Sequence, residues 1–317
     1  MLLRASQKVG NCKQSFVGSF NFFLTLLVWH YFSGVVCTIF WGRIVGRYCR
    51  ISPLGRFVTF LRSWMLMGGV VYVGKSLSYA FRGMDALKGL DFEFYAGEKI
   101  GLIGSSGAGK STLLGLLNGQ LQPSSGFLRI WGEDLTQISP KKRRRIQRRI
   151  GTIYQALHLV ESLAVIHNVN AGHLGRWSFF KAAFSLVFPC DRPLAESALK
   201  RVGIPEKIFA RTNELSGGQK QRVALARVLV QNPEVILADE PISSLDPQLS
   251  RDMMDLLVDL CDRQGKTLIV SLHSLEFAKS HCDRLIGLKQ GEIVFDCPAQ
   301  AVTDAQIAHL YGDSPIY

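Results

Sequence analysis

Residues 104–112 read Gly-Ser-Ser-Gly-Ala-Gly-Lys-Ser-Thr. This G-x-x-x-x-G-K-[ST] pattern constrains the fold more than any other feature, because it works only as a turn between a strand and a helix. The flanks comply. Lys99-Ile-Gly-Leu-Ile-Gly is a short apolar run suited to a buried strand, and Ser111-Thr-Leu-Leu-Gly-Leu-Leu continues as a helix. Glycines at such a turn let backbone N–H groups point inward, and the helix N-terminus adds its dipole. Gly104, Ser105, Ser106, Gly107, Ala108, Gly109, Lys110, Ser111 and Thr112 are therefore expected to wrap the β- and γ-phosphates of ATP. Lys110 would neutralise charge that grows during phosphoryl transfer, and the Ser111 hydroxyl would ligate Mg2+.

The flanking pattern places this loop in a layered α/β fold. Residues 69–99 have β character, with Leu90-Asp-Phe-Glu-Phe-Tyr alternating at period two. Val235-Ile-Leu-Ala-Asp and Thr267-Leu-Ile-Val-Ser-Leu are continuous apolar runs, which suit parallel strands covered on both faces. Leu285–Phe295 reads as a hairpin turning at Gln290-Gly291. Ser139–Arg149 is a basic helix candidate, and residues 156–225 read as mostly helical. Asp239 and Glu240 end one of the buried runs, where paired acids are costly unless a cation or a water needs them. Asp239 is expected to hold Mg2+, directly or through water. Glu240 is placed to polarise an attacking water as a general base.

Leu215-Ser216-Gly217-Gly218-Gln219, followed by Ile236-Leu-Ala-Asp-Glu-Pro, completes a resemblance to the ATP-binding-cassette (ABC) ATPases, which power membrane transport. It covers about residues 68–300, with the motifs in family order. The resemblance implies a P-loop NTPase of the ABC type: a RecA-like core, an antiparallel β subdomain, and a helical subdomain at about 156–225. It implies that Ser216, Gly217, Gly218 and Gln219 clamp the γ-phosphate bound to a partner copy, so that a homodimer closes two ATPs into composite sites. Gln155 matches the family's Q-loop glutamine, which reaches the magnesium and the water. His273 matches the switch histidine that contacts the γ-phosphate. Ser244-Leu245-Asp246 matches the D-loop, and Asp246 is counted with the nucleotide-contacting set. Tyr79 lies where the family stacks an aromatic ring on adenine, with Phe81 as a neighbouring competitor.

Gly151–Arg176 also resembles the ATPases of bacterial phosphonate importers, with an Asn-Val-x-x-Gly-x-Leu-Gly segment and then an aromatic insertion from Trp177. Ala156 departs from that pattern, which commonly has an aromatic there. The implied protein drives phosphonate uptake with two membrane permease subunits and a substrate-binding protein, as a peripheral subunit on the cytoplasmic face of the inner membrane. An ABC ATPase for another cargo (amino acids, other anions or lipoprotein release) is the alternative. An ABC ATPase acting on ribosomes or DNA would show tandem cassettes or a coiled-coil insertion, and this chain has neither.

Residues 1–64 stand apart from the expected domain at 65–317. They carry eight basic residues and no acidic one, which is most of the chain's net charge of +12. The basic balance is thus a property of the leader and a poor argument for nucleic acid. Gln14–Gly42 lacks any Lys, Arg, Asp or Glu and is long enough to span a hydrocarbon core of about 30 Å as a helix. Five basic residues follow that stretch and three precede it, which would leave the C-terminal domain in the cytoplasm. Three readings stay open: a working start at Met65 or Met67, a membrane anchor, or a transit peptide. The run Lys141-Lys-Arg-Arg-Arg-Ile-Gln-Arg-Arg is read as a solvated helix face, with no nucleic-acid partner. The seven cysteines form no CxxC pair, so neither a zinc site nor a disulfide framework is expected.

Overall fold

The computed structural model describes residues 69–186, 188–243 and 245–312. The leader and Ser244 lie outside them. The described chain opens with two long antiparallel strands, β1 (Val70–Phe81) and β2 (Met84–Tyr95). Arg82 and Gly83 join them with φ of 49° and 84°, the doubly left-handed turn that matches strand twist. β3 (Lys99–Ile103) then runs through the glycine loop into α1 (Lys110–Leu117). β4 (Ser125–Ile130) and the short β5 (Glu133–Asp134) return to the first hairpin and complete a sheet of order β2-β1-β4-β5.

The expected basic helix forms as α2 (Pro140–Gln147). Ser139 caps it by accepting from the Lys142 N–H, and Pro140 fits the first turn, where no N–H partner is needed. After β6 (Ile150–Ile153), residues 156–164 form turns and a bridge from Ala164 to Arg211, so that the mostly helical stretch begins its helices at Val165. The helices that follow are α3 (Val165–Asn170), α4 (Phe179–Ser185), α5 (Arg192–Arg201) and α6 (Gly217–Gln231). β7 (Val235–Asp239), α7 (Pro247–Gln264), β8 (Thr267–Leu272) and α8 (Leu275–His281) follow. β9 (Arg284–Lys289), β10 (Glu292–Pro298) and α9 (Asp304–Tyr311) close the chain. The β9–β10 turn falls at Gln290-Gly291, as the sequence indicates, with φ of 49° and 84°.

The second sheet has order β10-β9-β3-β8-β7-β6 and is parallel except at the β9–β10 hairpin. Period-two side-chain alternation divides each central strand between two cores. Val235, Leu237 and Ile269 face a core shared with α1 and the antiparallel sheet. Ile236, Ala238, Leu268 and Val270 face a second core built with the helices of the 165–231 region and with α7 and α8. Burial on both faces explains why these strands read as unbroken apolar runs, each large side chain contributing roughly 1.5–3 kcal/mol. Among the described residues, no helix is long and apolar enough to cross a membrane.

Candidate functional site

In a sheet of this kind, ligands collect beyond the carboxyl ends of the parallel strands. Here β3, β8, β7 and β6 lie side by side. Their carboxyl ends deliver the glycine loop, His273, Asp239 with Glu240, and Gln155 to one edge. Residues more than a hundred positions apart in the chain are thereby brought within hydrogen-bond reach.

The loop's shape rests on glycine. Gly104, Gly107 and Gly109 have φ of 153°, 79° and 104°. A Cβ on Gly104 would sit 2.2 Å from the Leu288 carbonyl oxygen, so the loop can pass β9 only without a side chain. The β9–β10 turn buttresses the loop, its Gly291 N–H donating to the Ala108 carbonyl at 3.1 Å. Lys110 is 4% exposed, and its Nζ donates to the Gly104 and Ser105 carbonyls at 2.8 and 3.0 Å. Burial pushes its ammonium below the ordinary lysine value, and Glu240 and Asp239 partly offset that.

Asp239 is joined to the loop through Ser111, whose Oγ donates to Asp239 Oδ1 at 3.1 Å. A hydroxyl and a carboxylate side by side are hard oxygen donors of the kind that would hold Mg2+. These residues fit the MgATP that the sequence implies. Glu240 follows Asp239 with φ of 47°, a left-handed conformation that a non-glycine residue adopts at some cost. Both carboxylate oxygens are held: Oε1 by His273 Nε2 at 2.5 Å, and Oε2 by Gln155 Nε2 at 3.0 Å. Its N–H is held too, donating to Ser271 Oγ at 2.9 Å. Sequence reasoning missed Ser271. The available signal was a serine in the otherwise apolar end of Thr267–Leu272, and the side chain is fully buried.

The other candidates lie apart from this cluster. Tyr79 is half-buried on β1, opposite Leu87 of β2, and Leu87 packs against Gly109. It is thus one strand removed from the loop. Phe81 is 54% exposed at the end of the same strand. Ser216 caps α6 in a reciprocal box: its Oγ accepts from the Gln219 N–H at 3.3 Å, and Gln219 Oε1 accepts from the Ser216 N–H at 3.1 Å. Gly217 and Gly218 open that helix, and a Cβ on Gly217 would meet nothing within 4 Å. No hydrogen bond among the described residues joins 216–219 to 104–112. Asp246 caps α7, accepting from the Gln248 and Leu249 N–H groups at 3.1 and 3.0 Å. The basic run is partly built into the fold: Arg143 donates to the Leu135 carbonyl, and Arg149 pairs with Glu234 while lying 3.6 Å over Trp131.

The fold and the loop define a P-loop ATPase, and the comparisons narrow the class. The family model described as "ABC transporter" matches residues 87–243. The chain belongs to the ABC transporter family and is its ATP-hydrolysing cassette. Among its relatives is the "Phosphonates import ATP-binding protein PhnC" of Pseudomonas fluorescens (strain Pf0-1), 42% identical over 234 residues, 74% of this chain and 88% of that protein. The protein of the same name in Thiobacillus denitrificans (strain ATCC 25259 / T1) is 45% identical over 224 residues, 70% and 85% of the two chains. Among solved structures, cbiO1 from Clostridium perfringens, part of the ABC transporter complex cbiONQ, aligns with TM-score 0.64 at 30% identity, over 76% of this chain and 93% of its own. The dimeric cassette MJ0796, bound to ADP and Pi in a post-hydrolysis state, aligns with TM-score 0.61 at 28% identity, over 73% and 100%.

Proposed function

We propose that this cassette drives phosphonate import. Two copies bind MgATP, close on one another, and move a pair of membrane permease subunits from inward- to outward-facing. A substrate-binding protein delivers the cargo, and hydrolysis resets the cycle. The observation that carries the reading is Glu240, held at three atoms beside the phosphate loop. The cargo follows the relatives, which are named for phosphonate import and match across 85–88% of their length.

In this reading Lys110 and the loop N–H groups bind the β- and γ-phosphates. Ser111, Asp239 and Gln155 hold the magnesium, which supplies charge neutralisation when bound. Glu240 takes the proton of the attacking water, and a carboxylate fixed in advance loses no rotamer freedom when it acts. His273 contacts the γ-phosphate and orients Glu240. Tyr79 stacks on adenine. Ser216, Gly217, Gly218, Gln219 and Asp246 serve the nucleotide of the partner copy, which agrees with their separation from the loop of their own chain. The cassette spans 65–317 with a helical subdomain near 156–225, behind a separate leader, and sits on the cytoplasmic face of the inner membrane. An exposed apolar strip (Phe179, Phe180, Phe184, Leu186 and Phe188) supports a partner on the helical side, since such patches mark interaction sites.

The test is growth of a strain lacking the chain, on a phosphonate or on phosphate as sole phosphorus source. Growth lost only on phosphonate, and restored by the wild-type chain but not by Glu240→Gln, is the expected result. Unimpaired growth on phosphonate would contradict the cargo.

A further inference from the structure

Ser271 takes part in none of the family motifs described above, yet it lies among them. It is the last residue of β8 to pair with β7, directly opposite Asp239. The strand ladder stops at that pair. Glu240, one residue beyond, has turned into a left-handed conformation, and its N–H has left the row of strand carbonyls. A buried N–H without a partner costs roughly 1–3 kcal/mol. The Ser271 hydroxyl supplies the partner. Its oxygen accepts from the Glu240 N–H at 2.9 Å, and its proton goes to Asp239 Oδ1 at 2.7 Å. Asp239 Oδ1 also accepts from Ser111 at 3.1 Å. One hydroxyl therefore ties Asp239, the acid bonded to Ser111 of the phosphate loop, to the backbone of the proposed general base.

We infer that Ser271 is a positioning residue for ATP hydrolysis: it locks the left-handed turn at Glu240 and fixes the Asp239 carboxylate, so that the two acids address one nucleotide. The inference rests on the role proposed for Glu240. Without the hydroxyl, the strained turn loses the bond that holds its N–H, and Glu240 can relax away from the water it must activate. Gln155 and His273 grip only the carboxylate and do not replace that anchor. Binding of the phosphates themselves is a separate matter, because the loop's N–H groups and Lys110 supply it and none of them bonds to Ser271 among the described residues; affinity is therefore read for the nucleotide without Mg2+, where Asp239 has no ion to hold.

Thr and Val have nearly the same shape and differ at this position by the hydroxyl alone. The experiment compares S271T and S271V in the full-length chain, with wild type and E240Q beside them. Three quantities are read: kcat for ATP, affinity for a fluorescent ATP analogue without Mg2+, and amide hydrogen exchange at Glu240. S271T is expected to stay near wild type. S271V is expected to lose about tenfold in kcat, the equivalent of one net hydrogen bond. Its nucleotide affinity should hold, while exchange at the Glu240 amide speeds up. Equal kcat in S271T and S271V would overturn the inference. So would a loss in S271V that appears equally in affinity and thermal midpoint, since that would make Ser271 a packing residue. If the β-branched pair does not fold, S271A replaces it, and the same split between kcat and affinity decides. E240Q separates the role of Glu240 from that of Ser271. Activity kept in E240Q would remove the base on which the inference rests, whereas activity lost in E240Q and kept in S271V would remove only the inference.

Discussion

At Gly104 a single hydrogen atom decides whether the phosphate loop can form. The residue adopts φ of 153°, and any Cβ there would fall 2.2 Å from the Leu288 backbone oxygen. Backbone cannot yield as a flexible side chain would. Gly104→Ala is therefore expected to cost about 2 kcal/mol or more in stability. ATP affinity should fall with it, because the loop's N–H groups no longer converge. Denaturant titration and nucleotide binding would check both. Gly107, with φ of 79° and open space around its Cβ position, carries only the conformational penalty, so its Ala variant should be the milder of the two. Glu240 presents the converse case, a non-glycine residue held in a left-handed turn by its neighbours.

At the scale of the elements, α7 and α8 bury two free thiols against the parallel sheet, Cys261 and Cys282. Burial pushes both up to about 12 from an ordinary value of 9.0. The folded state thus keeps a proton that the unfolded chain gives up above pH 9. Stability from this source is complete below pH 9 and falls as pH rises toward 12, by about 1 kcal/mol per pH unit for each thiol. Cys261→Ala with Cys282→Ala should start less stable but lose less between pH 8.5 and 10.5, as read from denaturant midpoints. A slope as steep as in wild type would contradict the assignment. The same scale shows what the sequence conveys. β3, the loop and α1 were legible because glycine spacing and an apolar run are local signals. β7, β8 and the Gln290-Gly291 turn were legible because two-sided burial and left-handed glycine leave plain marks. The turns at 156–164 were not legible. Of their apolar residues only Leu159 and Ala164 pack on the helical core, without the periodicity of a helix, while Val160 is exposed, and Asn168 serves the segment from α3 by bonding the Val160 N–H and carbonyl.

For the whole molecule, the proposed function divides the site into two parts that one chain does not unite. The loop, Asp239, Glu240, Gln155 and His273 meet at one sheet edge, while Ser216–Gln219 stands apart at the exposed start of α6. Motif spacing carried the residue types, but the register that sets Ser271 opposite Asp239 is a tertiary fact absent from any local pattern. The division predicts ATP-dependent self-association. With Glu240→Gln and MgATP, sedimentation should shift from monomer to dimer, and adding Ser216→Arg should abolish the shift by placing bulk and charge at the clamp. A monomer under all conditions would remove the composite site. The central claim joins this chemistry to transport, and its most direct measurement is the initial rate of labelled phosphonate uptake by cells carrying the wild-type or the Glu240→Gln chain. Wild-type cells are expected to take up the label, and the variant's rate to fall by at least about a hundredfold, the scale of a lost general base. Equal uptake in both, or in cells lacking the chain, would contradict it.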